Sequence, residues 1–433
     1  MTLRRRLGRL AALLALAGCT EQVTAPGVCP DYCPGGQITV VDTIFTDIIG
    51  GDSAFTGYLE AHQGEVLQVA DLPGIADSRA IFQLNAIPTR VRNDTGSDTT
   101  TVAITVDSAR LRFNVVRRDT NATNLWIKLY RLPIGLDSTT TFAQLVPSFT
   151  DSIVDSVNLS DLLTKPQIYD SATLAFWGDT IQTDSAGHVL QVGNQDSTLF
   201  LIVDLDTTKA RFVATDSGKV AYGVRVSGDS LASIVLGSTE GGRGANIVWF
   251  FNFPDTTGTP KDSTVSRGSI FDTFVFDPPT PALDSNLAVG GAPATRSLLR
   301  VTMPAVLRDS ADVVRATLIL VPVGPVPGTP GDSFTVVARP VVADLGAKSP
   351  LNPNTAFDGV KRIALNTADT VRIELTDLIR GWALDTTAAT ALMLGQLPEA
   401  SSFSQIRFYS TRTPAFKPTL HVTYVRRYAF GTP

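Results

Sequence analysis

The sequence predicts an all-β protein made of two jelly-roll-like antiparallel β-sandwiches in tandem, preceded by a leader and a short tether. Valine, threonine, isoleucine and phenylalanine are abundant, and 34 glycines and 26 prolines punctuate short segments of alternating apolar and polar residues. Long stretches rich in alanine, glutamate, lysine and leucine are missing, so few helices are expected. The 433 residues are enough for two or three domains with sizeable cores.

Residues 1–18 have the order of a secretory signal peptide. Four arginines between positions 4 and 9 precede the apolar run 10–16, which is too short to span a bilayer, and small residues follow it. The ending Leu16-Ala17-Gly18-Cys19 resembles the lipobox of bacterial lipoproteins. The resemblance implies that Cys19 is diacylated and becomes the first residue of the mature chain. The alternative is an ordinary signal peptide whose cysteine is incidental.

Residues 19–37 are rich in proline and glycine, lack periodicity and are predicted to be a tether. Cys29 and Cys33 are expected to form a structural disulfide there, because an exported compartment is oxidising. A metal site and a redox site are the alternatives. Two thiols without a nearby histidine are too few for a closed zinc site, and the spacing is not Cys-x-x-Cys.

The charge balance indicates which partners to expect. The formal net charge is −5, and loss of the four leader arginines makes it about −9. Such an acidic surface argues against the binding of nucleic acid and against the binding of anionic lipid through a basic patch. No run of eighteen apolar residues follows Cys19, so membrane contact is expected through the lipid alone. Thr20 is not the aspartate that retains lipoproteins in the inner membrane, which favours the bacterial outer membrane, facing the periplasm or the cell surface.

The chain repeats its opening pattern after roughly two hundred residues, which is the size of a sandwich domain and not of a solenoid repeat. Residues 66–70 and 77–84 resemble residues 286–290 and 294–301, and a similar strand follows at 107–113 and 313–319. The predicted domains are listed here in order: a first sandwich at 38–276, a proline-rich linker at 277–281, a second sandwich at 282–426 and a tail at 427–433. Short helices are predicted at 160–163 and 376–382, each with a serine or threonine able to cap it.

The second half resembles a known family through several spaced elements. These are the opening at 284–290, the strand Arg296-Ser297-Leu298-Leu299-Arg300, the pattern Val-x-x-Ala-x-Leu-x-Leu at 313–320, the helix at 375–382 and the closing strand at 417–424. Together they resemble the DNRLRE-type β-sandwich domain, grouped with carbohydrate-binding module family 96, over about 150 residues. The first half keeps the opening strands but has a longer middle and lacks a clear Asp-Leu-x-x-x-Trp element. The resemblance implies a jelly roll and, for some members, polysaccharide binding, without transferring individual ligand contacts.

The sequence shows no catalytic constellation. It contains no Gly-x-Ser-x-Gly elbow and no phosphate-binding loop. His62, His188 and His421 share no ligand spacing, and each is expected to be a surface or strand histidine. The many aspartates lie mostly in Asp-Ser and Asp-Thr pairs typical of turns. A structural calcium ion is compatible with an exported jelly roll, but no EF-hand pattern supports it, so the metal content is unknown and no other cofactor is expected.

Tryptophans are the first candidates for sugar binding, because a sugar presents a C–H face to an aromatic ring. Trp126, Trp249 and Trp382 are expected in the core, whereas Trp177 sits beside a turn and is the candidate ligand contact. The leading hypothesis is a non-catalytic envelope lipoprotein that binds polysaccharide. The alternatives are a structural or protein-interaction module that contacts another envelope protein, and a glycan-active enzyme.

Overall fold

The computed structural model describes residues 39–73, 76–95, 98–120, 122–151, 153–169, 180–193, 199–210, 218–277, 285–328 and 333–427. Within these residues antiparallel strands dominate and the longest helix has nine residues, so the all-β expectation is confirmed. The leader, the tether at 19–37, and nearly all of the linker at 277–281 and the tail at 427–433 lie outside the described residues.

Two strands precede the first unit: β1 (Val40–Phe45) and β2 (Ile49–Thr56). The strands of the first unit are β3 (Val66–Leu72), β4 (Ala76–Leu84), β5 (Arg90–Thr95), β6 (Asp98–Ala103), β7 (Thr105–Arg118), β8 (Trp126–Leu132), β9 (Ile153–Asn158), β10 (Ile168–Tyr169), β11 (Thr180–Thr183), β12 (Val189–Val192), β13 (Leu199–Asp206), β14 (Val220–Ser227), β15 (Ala232–Gly237), β16 (Asn246–Pro254) and β17 (Pro260–Phe276). Its helices are single turns: α1 (Phe142–Leu145), α2 (Ser148–Asp151), α3 (Leu159–Leu162) and α4 (Thr207–Ala210).

The first unit is one antiparallel sheet of 13 strands that folds over on itself. Its main path is β10-β11-β12-β13-β7-β15-β3-β4-β14-β8-β9, while β5 and β6 form a separate hairpin. Strand β17 is 17 residues long and pairs with β16 through residues 260–268, then with β4 through residues 269–276. Because β16 also pairs with β7, these contacts close a ring of strands around the first core.

The second unit is a sandwich of two sheets. Its strands are β18 (Leu287–Gly290), β19 (Thr295–Val301), β20 (Ala311–Leu320), β21 (Ser333–Pro340), β22 (Gly359–Ala364), β23 (Val371–Glu374), β24 (Ala391–Gln396), β25 (Gln405–Phe408) and β26 (Thr419–Arg426), and its helices are α5 (Ala305–Asp309) and α6 (Thr376–Leu384). One sheet has the order β1-β26-β20-β23, and the other has the order β22-β21-β24-β19-β18-β25 with β2 joined to β19. Leu299, Phe334 and Leu394 from one sheet pack with Leu318 and Val422 from the other.

The two units share one pairing pattern, which supports the internal duplication. The hairpin β8-β9 lies beside β14 as the hairpin β21-β22 lies beside β24. Strands β13 and β16 flank β7 as β23 and β26 flank β20. In the first unit, β17 pairs first with β16 and then with β4. In the second unit the equivalent places are taken by two strands: β1 pairs with β26, and β2 pairs with β19. The strand that precedes each unit in the chain therefore pairs within the other unit.

This exchange corrects one predicted boundary. The sequence assigns residues 38–276 to the first domain, but β1 and β2 complete the second sandwich, while β17 completes the first. Local alternation marks a strand and its buried face, but it carries no information on which distant edge the strand joins. The boundary near 276 agrees with the pairing, since β18 and every later strand belong to the second unit.

The predicted helix at 160–163 is displaced by one residue and capped differently. Helix α3 begins at Leu159, and its N-cap is Asn158, whose side-chain oxygen accepts a hydrogen bond from the backbone N–H of Asp161 at 3.0 Å. Ser160, the residue expected to cap it, instead accepts a hydrogen bond from the backbone N–H of Leu125 at 2.9 Å. The prediction that Ser160 caps the helix was therefore wrong, but a polar side chain does cap it, through the oxygen of Asn158.

The predicted helix at 376–382 is present as α6, but it has no side-chain cap. Its N-cap is Leu375, and the hydroxyl of Thr376 accepts a hydrogen bond from the backbone N–H of Ala316 in β20 at 2.8 Å. Leu378 and Trp382 of this helix are buried in the second core. Packing against β20, more than capping, holds the helix in place.

The two units touch directly. The side-chain amide of Gln68 in β3 donates a hydrogen bond to the carbonyl of Ser401. The rings of Phe274 and Phe403 meet edge to face, with centroids 5.5 Å apart. Residues 57–65 link β2 of the second unit to β3 of the first, and they are called the crossover below.

Candidate functional site

Four residues proposed from the sequence cannot be placed. Cys19, Cys29, Cys33 and Trp177 lie outside the described residues. Their roles as lipidation site, disulfide pair and ligand contact therefore stay predictions.

The other tryptophans are placed by the structure. Trp249 is fully buried and Trp382 is 3% exposed, each within the core of its unit, as expected. Trp126 is half-buried, and its indole N–H donates to the side-chain oxygen of Asn124 at 3.0 Å. These three tryptophans do not build a sugar-binding platform, so the aromatic groups of such a surface must come from other residues.

One face of the first unit presents aromatic and planar polar groups to solvent. Along β7 the side chains of Ala109, Leu111 and Phe113 enter the core, so Arg110 and Arg112 point to the opposite side. The same alternation in the neighbouring strands sends further side chains to this side, which we call the open face. Its members are Phe200, Ile202 and Asp204 of β13, Arg110 and Arg112 of β7, Asn246, Val248 and Phe250 of β16, and Thr264 and Ser266 of β17.

Arginines and phenylalanines are interleaved across the open face. The guanidinium carbon of Arg112 lies 3.6 Å from the ring centroid of Phe200, and that of Arg110 lies 5.8 Å from the ring of Phe250. Both distances are in the range of cation–π contact. A guanidinium held against a ring loses little further freedom on binding, while its N–H groups remain directional donors.

An ion pair fixes the centre of the open face. Arg110 donates to both carboxylate oxygens of Asp204, from Nε at 2.7 Å and from Nη2 at 3.2 Å. The hydrogen bond that Arg110 donates to Asp204 raises the pKa of Arg110 above its ordinary value. The side chains remain 47% and 52% exposed, so the pair adds little stability but offers a rigid, charge-balanced polar group to a ligand.

Amides and hydroxyls extend the polar surface on the neighbouring strands. Asn246 and Ser266 are joined by a hydrogen bond of 2.8 Å between β16 and β17. Asn252 donates to Asp107 of β7 at 2.8 Å. Rows of such groups on one side of a sheet match the hydroxyl rim of an extended sugar chain, and the half-buried rings match its C–H faces.

The second unit carries a related but less aromatic face. Arg315 of β20 pairs with Glu374 of β23 at 3.0 Å, just as Arg110 of β7 pairs with Asp204 of β13. On the other side of β20, Asp42 of β1 accepts hydrogen bonds from His421 and Thr423 of β26. The rings that flank the arginines in the first unit have no counterpart in these contacts. The open face of the first unit is therefore the better candidate site.

His188 also corrects an expectation from the sequence, because it is the centre of a buried ionic cluster and not a surface or strand histidine. It is 4% exposed, and its ring nitrogens meet Asp184 at 2.7 Å and Asp155 at 3.2 Å. Lys209 of α4 donates to the second oxygen of Asp155 at 2.9 Å. The hydrogen bond of the imidazole to Asp155, and then that to Asp184, raise the pKa of His188. The cluster joins β9 to the turn between β11 and β12, two distant parts of the sheet path.

Asp155 is held as a carboxylate by the same contacts. Burial alone would raise its pKa, but the hydrogen bonds from His188 and Lys209 outweigh burial and lower the pKa to about 2. The centre is fully paired, so it acts as a structural clamp. Among the described residues no group of three or more histidines, cysteines, aspartates or glutamates is arranged to hold a metal ion.

The open face was missed in the sequence because the notable residues were expected to be tryptophans. The available signal was the alternation Arg110-Leu111-Arg112-Phe113, in which two arginines alternate with two apolar residues of a core strand. The phenylalanines that meet them lie on two other strands, and their pairing depends on the sheet order.

The described part of the chain has no helix long and apolar enough to cross a membrane. No family model matches the chain, and no curated protein or solved structure shows significant similarity to it.

Proposed function

We propose that the protein is a non-catalytic lipoprotein of the bacterial envelope that binds polysaccharide on the open face of its first unit. The observation that carries the proposal is the interleaving of Arg110 and Arg112 with Phe200 and Phe250 on the side of the sheet opposite to the first core. A lipid on Cys19 would hold the protein at the outer membrane. The sequence resemblance of the second half to DNRLRE-type domains supports the same ligand class.

The charge of the open face favours a neutral or weakly charged chain molecule. Asp204 neutralises Arg110, so Arg112 is the only other charged side chain among the members of the open face, and the hydroxyl and amide groups of the flanking strands are uncharged. A polyanion needs clustered unpaired cations for tight binding, and the chain as a whole is acidic. Uncharged polysaccharide therefore fits the face better than nucleic acid or a strongly acidic glycan.

A second candidate function is supported by one sheet edge. Strand β10 ends the sheet path of the first unit, and its residues Ile168 and Tyr169 are 53% and 76% exposed. Exposed apolar groups on an edge strand favour pairing with another protein. This observation supports a protein-interaction module of the envelope as the alternative.

An enzyme is less well supported. Glu240 and Asp272 are two carboxyl groups in direct contact. The pKa of Glu240 is raised, mainly by burial and further by the neighbouring Asp272. Asp272 also accepts hydrogen bonds from the backbone N–H of Thr239 at 3.1 and 3.2 Å. A glycosidase needs its two carboxyl groups roughly 5 Å or more apart, with the sugar between them. A pair in contact leaves no room for the substrate.

The experiment that tests the proposal is a glycan array probed with the full chain, followed by titration of the best ligand. Arg110→Ala and Phe250→Ala should each weaken binding by about tenfold or more, because each removes an oriented donor or a ring face. Arg362→Ala is the matched control, because Arg362 is an exposed strand arginine that hydrogen-bonds Ser333 on the second unit. Absence of glycan binding, or equal losses in all three variants, would refute the proposal and favour the interaction module.

A further inference from the structure

Strands β1 and β2, residues 40–56, complete a unit that is distant in the chain, and together they are called the arm. Among the described strands, β1 pairs with β26 alone and β2 with β19 alone, so both partners of the arm belong to the second unit. The first unit is completed instead by β17, which follows β16 through a hairpin. The first unit is therefore completed locally, whereas the second unit is completed by a segment from the other end of the chain.

The order of strand exchange is head to tail. The strand β17, which lies between the two units, completes the first unit, and the arm, which lies before the first unit, completes the second. Head-to-tail contacts close into a ring when the last unit receives the first donor. One chain closes this ring with two units. Two chains can close it with four units, and each unit then receives the same strands as before.

Each donor strand carries a buried aspartate that fixes it to a loop of the receiving unit. In the second unit, Asp52 of β2 accepts a hydrogen bond from the backbone N–H of Thr411 at 2.6 Å. In the first unit, Asp272 of β17 accepts one from the backbone N–H of Thr239 at 3.1 Å. A fully buried serine precedes each of these threonines in the chain. The two units therefore recognise their donor strands through the same polar contact.

The two donor strands also share an irregularity in their pairing. The register of β2 against β19 skips Gly50, and the register of β17 against β4 skips Ile270. Each skipped residue lies two positions before the buried aspartate, so both strands are kinked at the same place before the same hydrogen bond. A groove that receives a kinked strand with an aspartate is thus a repeated feature of both units.

The groove of the second unit has to be filled for that unit to be stable. Ile48 and Ile49 of the arm are buried in the second core, and Val41 and Phe45 pack against it. A vacant groove would expose this apolar surface to water and leave the edges of β19 and β26 without partners. Every stable form of the protein therefore holds an arm in this groove, either its own or that of another copy.

The contacts of the arm and the crossover are the same for either source of the second unit. Gly57 and Tyr58 donate backbone hydrogen bonds to the carbonyl of Ala294 in the second unit, at 3.0 and 3.2 Å. The carbonyl of Gly64 accepts a hydrogen bond from the hydroxyl of Ser238 in the first unit at 2.7 Å. An exchange between two chains can keep all of these contacts, because it changes only the path of the chain from β17 to β18. Such an exchange costs little free energy.

We propose that the protein pairs with a second copy of itself, in which the arm of each chain completes the second unit of the other and the four units form a closed dimer. The groove selects this occupant, because the arm supplies the kink, the aspartate and the apolar side chains that the groove receives. The exchange competes with closure within one chain, so it is favoured where copies fold at high local concentration. It is independent of the ligand of the open face.

The test is a disulfide between an arm and a second unit that belong to different chains. Val40 of β1 lies opposite Val425 of β26 and is exposed, so a cysteine at either position should leave the fold intact. One chain carries Val40→Cys, and a second chain with a different affinity tag carries Val425→Cys. The two chains are co-expressed, because exchange has to occur while the second units fold, and they are then purified and oxidised.

Both chains begin at residue 20 and carry Cys29→Ser and Cys33→Ser, so the introduced cysteines are the only thiols. Val360→Cys replaces Val425→Cys in the matched control. Val360 is also an exposed valine of the second unit, but it lies on β22, in the sheet that does not contain β1.

We expect a disulfide-linked heterodimer that is at least about tenfold more abundant than in the control mixture, because paired strands hold the two thiols at a high effective concentration. Monomers alone, a yield equal to that of the control, or a dimer without this disulfide would overturn the proposal. If either variant does not fold, as judged by thermal unfolding, Ile44→Cys and His421→Cys decide in the same way, because these residues are opposite each other in the same pair of strands. Glycan binding enters none of these measurements, so failure of the open face would leave their outcome unchanged.

Discussion

Asp42, on the first strand of the structure, accepts a hydrogen bond from His421, on the last strand, at 2.8 Å between Oδ1 and Nε2. The two residues are 379 positions apart in the chain. The same oxygen accepts a hydrogen bond from Thr423, and these two bonds lower the pKa of Asp42, that from His421 more strongly. The contact follows from the strand exchange, because β1 belongs to the sheet of β26 and not to the unit it precedes. The second sandwich is therefore complete only when the N-terminal segment is in place.

Removal of residues 39–56 should unfold or loosen the second unit and leave the first one folded. The deletion removes Ile48 and Ile49 from the second core and exposes the edges of β19 and β26. The first unit keeps β17 and with it a closed ring of strands. Hydrogen exchange followed by mass spectrometry should show lost protection in β19 and β26, and retained protection in β4 and β7.

A chain that begins at residue 39 is the control and should protect both units. Addition of a peptide spanning residues 39–56 to the shortened chain should restore protection, because the vacant edges accept the same strand. Full protection of β19 and β26 without the segment would show that the exchange is dispensable for the fold.

The His188 cluster should make stability depend on pH at both ends of the range. The pKa of His188 is raised above its ordinary value of 6.5, so its contribution is complete below 6.5 and is lost as the pH rises through the folded value. The pKa of Asp155 is lowered from 3.8 to about 2, so its contribution is complete above 3.8 and is lost as the pH falls toward 2. His188→Ala should cost about 1–3 kcal/mol near pH 6, because it leaves buried acceptors unpaired.

Urea unfolding of the wild type and the variant between pH 5 and pH 9 measures this effect. The difference in the free energy of unfolding should shrink as the pH rises above 6.5. His62→Gln is the control, because His62 is a half-buried histidine of the crossover that meets a single carboxylate, Glu60, at 3.3 Å. A constant difference across the pH range would mean that His188 is neutral in the folded protein.

The strands and the internal duplication could be predicted from the sequence, whereas the candidate site could not. Alternation along residues 107–113 and 313–319 correctly predicted β7 and β20, and the apolar residues around Trp382 predicted α6. The pairing of β1 and β2 with strands of the second unit could not be predicted, because the partners of a strand depend on the completed sheet. His188 was misjudged because its two aspartates are supplied by separate strands and turns. The open face depends on side chains from β7, β13 and β16 that only the sheet order brings together.

Cys19→Ala should abolish incorporation of labelled fatty acid when the gene is expressed in a diderm bacterium. The segment Leu16-Ala17-Gly18-Cys19 resembles a lipobox, and the resemblance implies that this thiol carries the lipid. Cys29→Ala is the matched control, because it removes another thiol of the same segment, and it should be labelled as the wild type is. Membrane fractionation should then place the wild type with the outer membrane and release the Cys19 variant. Equal labelling of the Cys19→Ala and Cys29→Ala variants would show that residues 1–18 are an ordinary signal peptide and that Cys19 carries no lipid.

Gly290→Ala should destabilise the second unit more than Gly291→Ala, although both glycines have a left-handed backbone. Their φ angles are +85° and +82°, and an alanine there costs about 1–2 kcal/mol in conformational energy alone. At Gly290 the added Cβ would also collide with the ring of Phe334, which is 1% exposed in the core, whereas at Gly291 the nearest atom is the amide of Gln405 at 3.4 Å. Overpacking adds about 1–3 kcal/mol, so Gly290→Ala should lose about 3 kcal/mol and Gly291→Ala about 1 kcal/mol. Thermal unfolding of the two variants measures the gap, and equal losses would show that Phe334 moves aside without cost.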